Sequence, residues 1–162
     1  MFITAEGLGW NIDFGLCNIG GLQSSMPKGD VTISDIMSIT PYENKLSVLS
    51  VTGVDILNLL SQIAKSGGEG VSSWLRMTIA SDGTLKSASI DGKSIMKNKV
   101  YNVVTIDYLA EGNDGLTALT NAIKCIDTKL FMRDVLMDYI GRQSEHGILI
   151  DFKIEGRIVV MP

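Results

Sequence analysis

Apolar and polar positions along the chain change period several times. Around Trp74 the period is two: Leu75, Met77 and Ile79 alternate with Arg76 and Thr78, the signature of a half-buried strand. Asp82-Gly83 supplies a hairpin turn, and residues 85–90 form the expected returning strand. Asp91-Gly92-Lys93 turns the chain again before an apolar run over residues 100–106, which predicts a central strand. Residues 12–17 and 45–51 predict two more strands, the second carrying Leu46, Val48 and Val51. Between these stretches the period lengthens. Ile56, Leu59, Leu60 and Ile63 recur at helical spacing behind Thr52, a residue type that caps helices, and Ser66-Gly67-Gly68 ends the run. A shorter helix is expected at residues 32–37, capped by Thr32 and stopped before Pro41. Residues 116–123 predict a short helix, residues 130–142 a longer one, and residues 153–161 a closing edge strand. Hairpins interleaved with helices argue an α+β fold with mixed sheets rather than a doubly wound parallel sheet.

The 162 residues suit one domain spanning 1–162, with no internal repeat or linker. Apolar residues make up 45%, enough for one sizeable core. The net charge is −4 and the cations are scattered, so the chain offers no basic stripe for a nucleic-acid backbone. No apolar run reaches the ~18–20 residues of a membrane span, and no basic segment followed by an apolar stretch marks a signal peptide at the start. Cys17 and Cys125 could form one disulfide, which spacing does not decide, and are expected to be buried free thiols. With two cysteines and one histidine, His146, the chain cannot assemble a tetrahedral Cys/His zinc site by itself.

Four polar stops, three of them glycine-bearing, follow apolar segments. They are Asn18-Ile19-Gly20-Gly21-Leu22-Gln23, Pro41-Tyr42-Glu43-Asn44, the glycine-rich stretch 67–73, and residues 107–115 with Gly112-Asn113-Asp114-Gly115. Ligand sites in mixed folds often gather at such strand ends, although each stop alone could be an ordinary turn. The stretch 66–73 is expected to be mobile. Asn18 could bond a ligand or close its own glycine turn. Asp114 could touch substrate or order its loop, and Asn44 could reach a pocket or cap a turn. Arg76 reads as a solvated strand-face charge and His146 as a cation at a helix carboxy-terminus.

In order and spacing the four segments together resemble the carboxy-terminal domain of the 5'-nucleotidase family. That family shows N-x-G-G-[IL]-R, then P-F-x-N and a T-G helix start, then V-S-G, then [FY]-L-A-x-G-x-D-G-[FY]. Here these stand as Asn18 to Gln23, Pro41 to Asn44 with Thr52-Gly53, Val71-Ser72-Ser73, and Tyr108 to Leu116. The resemblance covers about residues 12–161 and implies a layered sandwich of mixed sheets flanked by helices. It implies a division of labour in which a separate metallophosphoesterase domain or chain holds two metals and the catalytic groups. This chain then binds no cofactor itself and contributes contacts to a nucleotide or related phosphomonoester. The isolated chain is accordingly expected to be inactive, and the location periplasmic or extracellular. The substrate contacts so implied are Asn18, Gly20, Gly21, Gln23, Asn44, Trp74, Asp114 and Leu116.

Several positions depart from the family pattern. Gln23 replaces the motif arginine and cannot make a charge-assisted phosphate contact. The resemblance implies two rings around the base, one at the position held here by Leu116 and one just before the V-S-G segment, where Glu69 and Gly70 stand. Trp74 or Tyr42 would have to substitute. These losses support an alternative reading, a non-catalytic binding or interaction module that has kept the fold but lost nucleotide binding. The family's opening helix is missing or truncated around Leu8-Gly9-Trp10-Asn11, which would expose Phe2, Ile3 and Trp10 and favour self-association.

Overall fold

The computed structural model describes residues 7, 9–72 and 74–162. Two sheets form its frame. The larger has strands β1 (Phe14–Cys17), β2 (Lys45–Thr52), β3 (Gly70–Val71), β7 (Val100–Ile106) and β8 (Lys124–Phe131), ordered β3-β1-β7-β2-β8. The smaller has β4 (Leu75–Ala80), β5 (Leu85–Ile90), β6 (Lys93–Ser94) and β9 (Ile158–Met161), ordered β6-β5-β4-β9. In the larger sheet only the β1–β7 pair is parallel; in the smaller only β4–β9 is. The fold is thus α+β with mixed sheets, as expected.

The helices are α1 (Ile33–Ile39), α2 (Gly53–Lys65), α3 (Asp107–Ala110) and α4 (Met132–Glu145). Helix α2 packs on β2 and β7 of one sheet and on β5 of the other. Being covered on both sides, it buries Ile56, Leu59, Leu60, Ile63 and Ala64 completely. Its start is fixed twice. Thr52 Oγ1 accepts from Asp55 N at 3.2 Å and donates to Asp55 Oδ2 at 2.6 Å. Gly53 then lies so close to the chain at Met96 that a Cβ would sit 2.0 Å from Met96 O, so only glycine fits. Helix α1 carries a complete capping box between Thr32 and Asp35.

The structure corrects several expectations. Residues 124–131, of which 124–129 carry no element assigned from the pattern, form an edge strand, so α4 begins at Met132 and not at residue 130. The expected helix over 116–123 is a 3-10 turn, Thr117–Asn121. The glycine-rich stretch contains β3, paired antiparallel to β1. The closing strand is limited to Ile158–Met161. Both cysteines are free, but Cys125 is exposed because β8 is an edge strand. Phe2, Ile3 and Leu8 lie outside the described residues, and Trp10 packs half-buried against the core.

Candidate functional site

Strand β1 ends at Cys17 and hands the chain to Asn18, which is 6% exposed. Asn18 Nδ2 donates to Asp114 Oδ2 at 2.7 Å across 96 positions of sequence. The other oxygen of Asp114 accepts from the Tyr108 hydroxyl at 3.0 Å. Asp114 sits in the left-handed region, φ 55°, in the loop that follows α3. Local bonds set that loop: Tyr108 N donates to Asp107 Oδ1, and Asn113 Nδ2 donates to Tyr108 O. The hydrogen bond to Asp114 is the main reason the Tyr108 phenol is raised above its ordinary pKa; burial, the Asp114 charge and nearby Tyr42 act in the same direction.

Asn18 Oδ1 is buried and has no hydrogen-bond partner. It faces Gly21, where a Cβ would approach it to 2.6 Å. A small hollow of about 10 Å³, room for about one water, opens here among Asn18, Gly21, Thr40, Tyr42, Asn44 and Met132. Asn44 O accepts from Met132 N at 2.9 Å, which ties the Pro41–Asn44 turn to the start of α4. Cys17 borders the same hollow, its Sγ 3.9 Å from Met132 Sδ. Burial, and after it the charge of Glu69, pushes the Cys17 thiol up to about 11.

Two rings flank this cluster with open surface, Tyr42 at 52% and Tyr108 at 40% exposure. Glu69, at one of the positions expected to carry a ring, instead accepts from Ile19 N at 2.8 Å and braces the Asn18–Gly21 turn.

Of the eight residues singled out in the sequence, Asn18, Gly21 and Asn44 line this hollow and Asp114 is joined to it through Asn18, while Gly20 and Gln23 lie exposed on the adjoining loop. Gln23 is turned inward on its own loop, Nε2 donating to Gly20 O at 2.6 Å. Leu116 is 1% exposed in the core and presents no surface to a ligand. Trp74 stands just before β4 of the smaller sheet and does not line the hollow. Tyr108 was missed as a ring, although the first position of the [FY]-L-A motif is aromatic and six residues before Asp114. Arg76 pairs with Glu155 at 3.6 Å, and His146 Nδ1 lies 2.7 Å from Arg142 O at the end of α4. Among the described residues no group of three or more His, Cys, Asp or Glu side chains is placed to hold a metal ion.

The strand ends of this α+β fold bring together a buried amide, a carboxylate and two open rings. The 5'-nucleotidase, C-terminal domain family matches residues 3–121, and this chain belongs to that family. The chain is 29% identical over 136 residues to the 5'-nucleotidase of Vibrio cholerae, covering 82% of this chain and 24% of that protein. It is 29% identical over 172 residues to the cell wall protein Lmo0130 of Listeria monocytogenes, covering 96% of this chain and 22% of that protein. The crystal structure of the 5'-nucleotidase precursor from Thermus thermophilus superposes with a TM-score of 0.85 at 25% identity, over 99% of this chain and 33% of that one. The chain therefore spans about a quarter of the length of the curated relatives it matches.

Proposed function

We propose that this chain is the substrate-recognising part of a 5'-nucleotidase-type phosphomonoester hydrolase, working with a metallophosphoesterase domain or chain. The observation that carries this reading is the Asn18–Asp114–Tyr108 hydrogen-bonded chain beside the exposed ring of Tyr42. Aromatic faces take a nucleobase by stacking, and a carboxylate and amides beside them suit hydroxyl and ring-nitrogen donors. In this reading the metals belong to the metallophosphoesterase partner, where a pair of them would clamp the attacking and leaving oxygens of the phosphate. The described residues of this chain contain no cluster for them, and its own part is to hold and orient the leaving alcohol. A cell wall protein among the relatives supports a site of action outside the cytoplasm. Among the described residues no helix is long and apolar enough to cross a membrane.

Calorimetric titration with adenosine and AMP tests the reading. Binding should weaken by about 1–3 kcal/mol for Tyr42→Ala and again for Tyr108→Ala. Gln23, neutral and bonded to its own loop, favours a second reading, a binding module without phosphate recognition. Equal affinity for adenosine and AMP in the presence of the metal partner would support that second reading, and no binding of either would remove the first.

A further inference from the structure

Residues 148–156 carry no regular structure, yet their pattern is that of a strand. Ile148, Ile150, Phe152 and Ile154 alternate with Leu149, Asp151, Lys153 and Glu155. Most of the apolar members are not packed away: Ile148 is 53%, Phe152 73% and Ile154 102% exposed, and Leu149 is 90% exposed, while Ile150 is half-buried. Beyond them Gly156, at φ 63°, breaks the extended direction. Among the described residues, the backbone of 149–156 makes no hydrogen bond to other backbone. Branched and aromatic side chains of this kind fit a pleated surface with a partner across from it.

We propose that this segment is a self-recognition strand, which pairs antiparallel with the same segment of a second copy about a two-fold axis at Phe152. The charges choose both the partner and the register. With Phe152 opposite Phe152, Ile150 meets Ile154, and Asp151 meets Lys153 twice. Sliding the pair one pleat in one direction sets Asp151 against Asp151. One pleat the other way sets Lys153 against Lys153 and Asp151 against Glu155. A parallel in-register pair also sets each charge against itself. Opposite charges across a ladder stabilise and like charges destabilise, and a single-residue slip would turn the apolar face to the charged side. Only the register at Phe152 satisfies both requirements. Because a two-fold contact is self-complementary, it closes at two copies and does not grow. The contact is short for a permanent dimer, so association should depend on concentration.

Sedimentation velocity of the whole chain over about a hundredfold range of concentration tests this. The expected result is a monomer–dimer shift. Asp151→Lys and Lys153→Asp should each weaken it by about tenfold, since each sets like charges opposite one another. An equimolar mixture of those two variants should dimerise again, and so should the chain carrying both changes. Hydrogen exchange should show amides 149–155 protected at high concentration alone. A monomer at every concentration would overturn the proposal, as would a dimer indifferent to the two charge reversals. Protection of this segment by an added metallophosphoesterase domain, with none by a second copy, would also overturn it.

Discussion

Helices α2 and α4 have nearly the same length, 13 and 14 residues, and opposite positions in the energetics of the fold. Helix α2 buries six residues and is held by a side-chain cap, whereas α4 buries only Val135 and has no side-chain cap at Phe131. The first lies between two sheets, and the second covers α1 and the edge strand β8. What separates them is the number of layers in contact, since tertiary packing supplies most helix stability in proteins. Helix α4 serves position instead: its first residue, Met132, walls the hollow beside Asn18.

The contrast can be broken by substitution. Leu60→Ala, in a fully buried position, should cost about 2–5 kcal/mol. Leu136→Ala on half-buried α4 should cost about 1 kcal/mol. Equal losses in urea unfolding would abolish the distinction. Gly53→Ala should destabilise by roughly 1–3 kcal/mol through overpacking at Met96, and Gly141→Ala on α4, where a Cβ meets nothing within 4 Å, should not destabilise.

Thr52→Ala should remove about 1 kcal/mol. It should also blunt the acid limb of unfolding. Asp55 is held below its ordinary pKa chiefly by the bond to Thr52 and then by Asn121. Its contribution is therefore present above the unfolded carboxylate pKa and lost as pH falls through the depressed folded value. A stability–pH profile of Asp55→Asn should be flatter over that acid window, and an unchanged slope would refute the assignment.

On α4, Met132→Ala should barely alter stability while raising the maleimide reactivity of Cys17 by about tenfold at neutral pH, because it uncovers a thiol kept protonated by burial. Exposed Cys125 should label first in both proteins. His146→Ala at the α4 terminus should change stability by only about 0.3–1 kcal/mol.

Most of the frame was legible because its periods are clean. Ile56, Leu59, Leu60 and Ile63 mark α2, and Leu75, Met77 and Ile79 mark β4; every one of them is buried. Strand β8 was not legible, for a physical reason. It is an edge strand with Lys124, Asp127 and Lys129 among its eight residues, a shift in register against Lys45–Ser47, and a positive φ of 62° at Lys129. Such a strand is fixed by its neighbour β2 and not by its own pattern. The same holds for the site. Asn18, Gly21, Asn44 and Asp114 were found from turn chemistry at strand ends. The rings were sought at position 116 and before the V-S-G segment. The chain buries the first and uses Glu69 at the second to brace a turn, while the open rings stand at Tyr42 and Tyr108. Tyr42 in the turn before β2, named from the sequence only as a substitute ring, and Tyr108 at the start of α3 give no periodic signal of their own exposure.

The ladder order has a consequence for how the protein is made. Asp13, just ahead of β1, is bonded to Asn102 at a separation of 89 positions, and Arg157 reaches back to Val71 across 86. On a ribosome, β1 must then wait roughly 5–20 s for its neighbour to be synthesised, and the smaller sheet gains its β9 edge only once residues 158–161 have emerged. Nascent chains should accordingly depend on chaperone shelter until β9 has left the ribosome.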